Sequence, residues 1–269
     1  RTMADWGLED WARVISGGFV AMACALSSHQ IRQHLLHSRQ RALRNYTVRI
    51  LLMVPIYATQ AWLGLRFIEA SFAFTCMREL YEALVIFTFM QFLLAYLGGP
   101  ASLARKLAKK GDVKHLAPMC HLQPWTAGPV FLRNTMFGAL QYVPVMVLTT
   151  CVAIVAWLAG LYTPGDFSGT SVWLYVVVVK NLSQMWALYC LVLFYRGTHK
   201  MLKDIRPLAK FVCIKLIVFF TFWQSLAIAG LVRVDVIDAA KFEGTIEWTT
   251  PEVAAGIQDF IICVEMVFF

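Results

Sequence analysis

The fold class of this chain is decided by one uncharged stretch, which reads MFGALQYVPVMVLTTCVAIVAWLAGL from Met136 to Leu161. A helix that crosses the roughly 30 Å hydrocarbon core of a bilayer needs about 20 apolar residues, because each residue adds about 1.5 Å. The stretch meets that length, and no Asp, Glu, Lys, Arg or His interrupts it. It therefore predicts a transmembrane helix.

Six further apolar stretches flank the first. We predict spans at about residues 11–28, 48–67, 77–97, 136–161, 172–195, 209–232 and 253–269. Hydrophobic residues make up 59% of the chain and charged residues 15%, whereas a soluble domain carries about 25% charge. We therefore predict an all-α membrane protein, a seven-helix bundle that forms a single transmembrane domain over residues 1–269. The last span is still apolar at Phe269, and we expect the native protein to continue beyond both ends of this sequence.

The connections between these spans alternate in charge. Lys and Arg are dense in the connections after the first, third and fifth spans, whereas residues 162–171 contain neither. Because basic loops stay in the cytosol, we predict that the N-terminus faces outward or into a lumen and that the C-terminus is cytosolic. The charge pattern fits both the plasma membrane and an endomembrane.

The formal net charge of +8 does not predict nucleic-acid binding. The excess lies in short loops beside apolar helices, where it orients the protein and meets anionic membrane lipids. No Gly-rich phosphate loop, HExxH or Gly-x-Ser-x-Gly motif is present. We expect no enzymatic activity, no cofactor and no metal site. Cys120 lies in a basic loop near the membrane and is a candidate for reversible acylation.

Two prolines fall inside predicted spans, Pro55 in the second and Pro144 in the fourth. Each removes one backbone hydrogen bond, and its ring crowds the preceding turn. Both positions predict a bend in the helix, and a gating hinge is the alternative.

The residues that point to function are the polar ones inside the spans, because each needs a partner or water in hydrocarbon. They are Glu79, Glu82, Lys180, Asn181, Gln184, Lys215, Gln224, Gln258, Asp259 and Glu265. Lys180 lies roughly 13 Å into its span and so near the bilayer centre. We predict that it pairs with Glu82 or Asp259, and that Lys215 pairs with Glu265. Structural pairing and a partly hydrated substrate or ion pathway both fit this pattern.

Short motifs along the chain resemble the organic solute transporter alpha family. They are Arg49–Tyr57, Arg78–Glu79, Tyr81–Ala83, Leu140–Tyr142, Gly165–Ser168, Asn181–Gln184, Lys210–Lys215, Phe222–Gln224 and Gln258–Met266. They follow one another over nearly the whole chain. The resemblance is closest to the eukaryotic branch that includes the transmembrane protein 184 group and the plant Lazarus-type proteins.

The resemblance implies a seven-helix bundle that transports amphipathic organic solutes by facilitated diffusion. The solutes implied are anionic and sterol-like or bile-acid-like, and membrane lipids are the other implied partners. A homodimer and a complex with other membrane subunits both stay open. Two further functions also stay open, because fold alone does not fix function: a non-transporting structural or scaffolding subunit of a larger membrane complex, and an endomembrane signalling or trafficking protein.

Overall fold

A computed structural model of the chain gives a backbone that is almost entirely helical. It describes residues 7–37, 40–109, 111, 113, 115, 119, 123–163, 171–202, 220–221, 223–234, 236–237 and 248–268. Among these residues the only paired extended ones are Val113 and Trp125, which form an isolated antiparallel bridge. The predicted all-α class is confirmed for the described part of the chain.

The helices follow one another with short connections. In chain order they are α1 (Leu8–His37), α2 (Arg41–Leu51), α3 (Met53–Arg66), α4 (Ser71–Tyr96), α5 (Pro100–Leu107), α6 (Pro129–Leu140), α7 (Tyr142–Leu158), α8 (Val172–Thr198), α9 (residues 223–233) and α10 (Thr250–Glu265). Two 3-10 turns, Ile68–Ala70 and His199–Met201, precede α4 and follow α8.

Five helical segments of the described chain are long and apolar enough to cross a membrane. They cover Glu9–His37, Arg41–Arg66, Ile68–Tyr96, Pro129–Leu158 and Val172–Met201. Each overlaps one of the first five predicted spans, so the predicted membrane-spanning character is confirmed. The helices continue beyond the apolar stretches, because a helix satisfies its own backbone hydrogen bonds in water as well as in lipid.

The sixth and seventh predicted spans are only partly described. Residues 209–219 of the sixth lie outside the described residues, and its end forms α9. The seventh is represented by α10, which begins at Thr250 because the Glu252 carboxylate accepts a hydrogen bond from the Thr249 backbone N–H at 2.7 Å. The full count of seven spans stays a prediction.

Both prolines predicted to bend a span lie just after an interruption of the helix. Leu52 separates α2 from α3 three residues before Pro55, and Gln141 separates α6 from α7 three residues before Pro144. A proline cannot donate to the carbonyl four residues back, and its ring clashes with that carbonyl. The interruptions therefore occur where the proline chemistry requires them.

Contacts divide the chain into two compact units. The first is drawn from the described parts of Arg1–Ser38, Leu51–Tyr81 and Val212–Phe269. In it α3 packs against both α1 and α10. The buried face of α3 carries Ala58, Ala61 and Gly64, small residues that allow membrane helices to approach closely. Trp62 donates its indole N–H to the Arg13 carbonyl at 3.0 Å, which ties α3 to α1.

The second unit is drawn from the described parts of Arg39–Ile50 and Glu82–Phe211. In it α8 packs against α6 and α7, and α5 packs against α6. The α6–α8 contact is close at two glycines: a side chain at Gly138 would collide with Cys190, and one at Gly197 would come within 2.8 Å of the Phe131 ring. Exposed aliphatic side chains of α7 such as Leu148 suit a surface that meets lipid.

Candidate functional site

The polar residues predicted to carry function are spread over four helices. Glu79 and Glu82 lie on α4, Lys180, Asn181 and Gln184 on α8, Gln224 on α9, and Gln258, Asp259 and Glu265 on α10. Lys215 and the acylation candidate Cys120 lie outside the described residues. Several of the described residues meet in groups, each of which belongs to one unit.

In the first unit, Asp259 of α10 is bound to two residues of α4. Asp259 forms an ion pair with Arg78, with 3.4 Å between Nη1 and Oδ1, and accepts a hydrogen bond from Ser71 Oγ at 3.4 Å. Arg78 and Asp259 are only 7% and 5% exposed. The Asp259 cluster (Asp259, Arg78, Ser71) is therefore a buried ion pair in which opposite charges compensate each other.

The carboxyl of Asp259 also lies against the backbone of α3. A side chain added at Gly64 would collide with the Oδ2 atom of Asp259. Gly64 is thus required by the close approach of two helices, because only hydrogen fits between the α3 backbone and the carboxylate. Three helices of the first unit converge on this one charged group.

In the second unit, Glu82 of α4 accepts hydrogen bonds from two neutral donors. Gln184 Nε2 on α8 lies 3.0 Å from Glu82 Oε1, and the Tyr142 hydroxyl on α7 lies 3.4 Å from the same oxygen. Glu82 is 8% exposed and Tyr142 is fully buried. The Glu82 cluster (Glu82, Gln184, Tyr142) therefore joins three membrane-spanning helices through one carboxylate.

Lys180 is on the same helix as Gln184 of this cluster and belongs to the same unit. It is 9% exposed and precedes Gln184 by one helical turn on α8, so the two side chains leave the helix on the same face. Two partners were predicted for Lys180. One of them, Asp259, forms an ion pair with Arg78. The pairing of Lys180 with the other, Glu82, stays a prediction.

A reciprocal pair of hydrogen bonds joins the interruption between α6 and α7 to α8. Gln141 donates its amide N–H to the Ser183 carbonyl at 3.0 Å and accepts from the Ser183 hydroxyl at 2.9 Å. Gln141 is the residue between α6 and α7, so its side chain ties this point of the span to α8. The pair lies in the same unit as the Glu82 cluster.

The last group joins α9 to α10 in the first unit. Gln224 Nε2 donates to Glu265 Oε1. Their remaining oxygens, Gln224 Oε1 and Glu265 Oε2, are buried and have no hydrogen-bond partner among the residues that the structure describes. The predicted pair between Glu265 and Lys215 lies outside the described residues and stays a prediction.

Three predicted residues do not join these groups through the contacts described. Asn181 turns back and donates to the Val177 carbonyl of its own helix at 2.8 Å. Glu79 and Gln258 are both half-buried. Conversely, Arg78, Ser71, Tyr142, Gln141 and Ser183 were not predicted as site residues. All except Ser71 are inside family-like motifs or beside an in-span proline, which is the signal that marks them.

Within the described ranges, no group of three or more His, Cys, Asp or Glu side chains could hold a metal ion. The contacts described at the clusters are hydrogen bonds and an ion pair between helices. Groups of this kind are costly in hydrocarbon and usually line water-filled cavities or substrate pathways.

Comparison with known proteins places the chain in a family. The family model described as organic solute transporter Ostalpha matches residues 12–269. Protein LAZ1 of Arabidopsis thaliana is 34% identical over 282 residues, which cover 98% of this chain and 56% of the relative. The chain thus spans about half the length of this curated relative. No solved structure matches it. The predicted resemblance is confirmed, and the chain belongs to the organic solute transporter Ostalpha family.

Proposed function

We propose that this chain is a facilitative transporter of amphipathic organic solutes, anionic and sterol-like or bile-acid-like, and that it has no enzymatic activity. Membership in the Ostalpha family supports the class of activity. The Glu82 cluster is the observation that carries the pathway, because it is a buried carboxylate held by exchangeable donors within membrane-spanning helices.

The donors of the Glu82 cluster suit transient binding of a solute. Gln184 and Tyr142 are neutral, and each hydrogen bond to the carboxylate contributes about 1.5–3 kcal/mol net. A solute hydroxyl can replace one of them as a donor to Glu82, and the released donor can bind a solute oxygen, so that no buried group loses its partner. In the proposed pathway Lys180, one turn away on the same face of α8, supplies the positive charge that an anionic solute needs.

The proposed topology has seven spans, with the N-terminus outside or in a lumen and the C-terminus in the cytosol. Five described helical segments long and apolar enough to cross a membrane support this count, and α9 and α10 lie in the stretches proposed as the other two spans. The alternation of basic connections supports the orientation. The partners proposed are the solute and membrane lipids, and a homodimer or a complex with other membrane subunits is compatible with this topology.

Uptake by purified protein in liposomes tests transport directly. The wild-type chain and a Lys180→Met/Glu265→Gln double variant are reconstituted at equal amounts, and entry of a radiolabelled bile acid or steroid sulfate is followed. We expect saturable uptake by the wild type, driven only by the solute gradient, and about tenfold slower uptake by the double variant, since a lost charge contact costs about 1.5–3 kcal/mol.

The result also separates transport from a scaffolding function. Absence of uptake for every sterol-like or bile-acid-like solute, together with purification of the chain in a fixed complex with other membrane proteins, would contradict transport. It would instead favour a non-transporting structural subunit. The double variant must elute as the wild type does in size-exclusion chromatography, so that loss of folded protein is not taken for loss of transport.

A further inference from the structure

Apart from the polar clusters, the second unit contains a groove at the start of α6. The groove has a volume of about 330 Å³ and is lined by Trp125, Arg133, Asn134, Phe137, Gly138 and Trp186. Trp125 precedes α6, four of the lining residues lie on α6, and Trp186 lies on α8. None of the clusters described above includes these residues.

The lining changes from charged to aromatic along the axis of α6. Arg133 and Asn134 lie in the second turn of the helix, and Phe137 follows Arg133 by four residues, a rise of about 6 Å. Phe137 is 76% exposed, so the deeper end of the groove presents an aromatic ring to the surroundings. A molecule that follows this gradient has an anionic end and an apolar end.

The polar atoms of the groove are mainly hydrogen-bond donors. Arg133 has five N–H donors, Asn134 has an amide, and the indole nitrogen of Trp186 lies beside the Cα of Gly138, where an added Cβ would be 3.1 Å away. Among these six lining residues none carries a negative charge. An exposed guanidinium with accessory donors matches the oxygens of a phosphodiester.

The position of the groove relates it to the membrane. It lies on the first turns of the segment Pro129–Leu158, which is long and apolar enough to cross a membrane, and the ends of such a segment are expected near the lipid headgroups. Tryptophan is enriched at this level, and Trp125 lies four residues before the segment. The adjacent helix α5, which packs on α6, exposes Arg105 and Lys106. Basic side chains near the surface attract anionic lipids.

We propose that this groove binds the headgroup of an anionic phospholipid, with Arg133 on the phosphate and the first acyl carbons along Phe137. The exposed aromatic end favours a lipid over free phosphate, which has no apolar part to bury. The bilayer supplies such a ligand to every copy of the protein. The site is separate from the proposed solute pathway, so its test uses binding and not transport.

Native mass spectrometry of the purified chain measures this binding. The probes are phosphatidylglycerol and phosphatidylcholine with identical acyl chains, and inorganic phosphate as the competitor. The variant is Arg133→Gln, and the matched control is Arg196→Gln, which removes the same charge from an exposed position of α8 outside the groove. Both positions are on the surface, so neither substitution is expected to disturb folding. An unchanged size-exclusion profile checks this.

We expect one phosphatidylglycerol to be retained by the wild type and by Arg196→Gln. Its affinity falls about tenfold in Arg133→Gln, the loss expected for one charge-assisted contact, and phosphatidylcholine binds at least about tenfold more weakly than phosphatidylglycerol. Equal losses in the two variants would overturn the proposal, as would equal binding of the two lipids. Displacement of phosphatidylglycerol by millimolar phosphate would show a site for the free anion instead.

Discussion

Two buried carboxylates of this protein, Asp259 and Glu82, differ in the groups described as their hydrogen-bond donors. Asp259 in the first unit is compensated by the guanidinium of Arg78 and fits against the backbone at Gly64. Glu82 in the second unit accepts from a neutral amide and a neutral phenol. Both carboxylates are less than a tenth exposed, so they differ in the hydrogen-bond donors described for them and not in their burial.

The difference separates a structural contact from a binding contact. A buried ion pair is costly to open, because each charge left alone loses its compensation. The hydrogen bonds described for Glu82 come from neutral groups, and a solute hydroxyl can replace such a donor one for one, so that the carboxylate keeps its number of partners. The Asp259 cluster is therefore expected to hold the first unit together, and the Glu82 cluster is expected to respond to a solute.

The largest effect is expected when the ion pair loses one partner. Arg78→Met leaves the Asp259 carboxylate buried with Ser71 as its remaining described donor. We expect a loss of about 3–5 kcal/mol in the free energy of unfolding. Titration of the purified protein with sodium dodecyl sulfate in mixed micelles, followed by circular dichroism, measures it.

The control for this prediction removes both charges. Replacing a buried pair by apolar residues is close to neutral, so Arg78→Met/Asp259→Leu should recover much of the stability that Arg78→Met loses. A single variant as stable as the wild type would show that the ion pair does not hold the first unit together, and the comparison with Glu82 would fail.

The next effect tests the close approach behind Asp259. Gly64→Ala places a methyl group against Asp259 Oδ2, and such overpacking costs about 1–3 kcal/mol. Gly18→Ala in α1 is the matched control, since a side chain there meets nothing within 4 Å. The same detergent titration should show destabilisation for Gly64→Ala only. Equal stability of the two variants would exclude Gly64 as a packing requirement.

The sequence predicted the fold well, because the signals for it are local. Apolar stretches predicted the positions of the five described membrane-crossing segments, and each proline predicted to bend a span lies three residues after an interruption of the helix. Backbone hydrogen bonding within one helix determines both features. The partial description of the last two spans leaves the helix count a prediction.

Partners within the site were harder to predict, because they join residues that are far apart in sequence. Arg78 and Asp259 are separated by 181 positions, and hydropathy does not reveal which helices are neighbours. Depth alone allowed Lys180 as a partner of Asp259, whereas the structure has Arg78 there. Glu82 and Gln184 were both selected as in-span polar residues, and they do meet.

The smallest stability effect sharpens the description of the second unit. Gln141→Leu removes the two reciprocal hydrogen bonds to Ser183 and should cost about 1–2 kcal/mol. Because Gln141 joins two helices, the loss should exceed that of Asn181→Leu, whose described hydrogen bond is to its own helix. Detergent titration of both variants measures the two losses, and equal losses would show that the contact between Gln141 and Ser183 contributes no more than a hydrogen bond within one helix.

We propose that Glu82 serves solute passage and not folding. The most direct measurement compares initial uptake rates of Glu82→Gln and Glu69→Gln proteoliposomes, where Glu69 is an exposed carboxylate outside every cluster. Glutamine keeps the oxygen that accepts from Gln184 and Tyr142, so stability should stay within about 1 kcal/mol of the wild type. We expect about tenfold slower uptake for Glu82→Gln alone. Wild-type uptake by a stably folded Glu82→Gln, or its failure to fold, would contradict the claim.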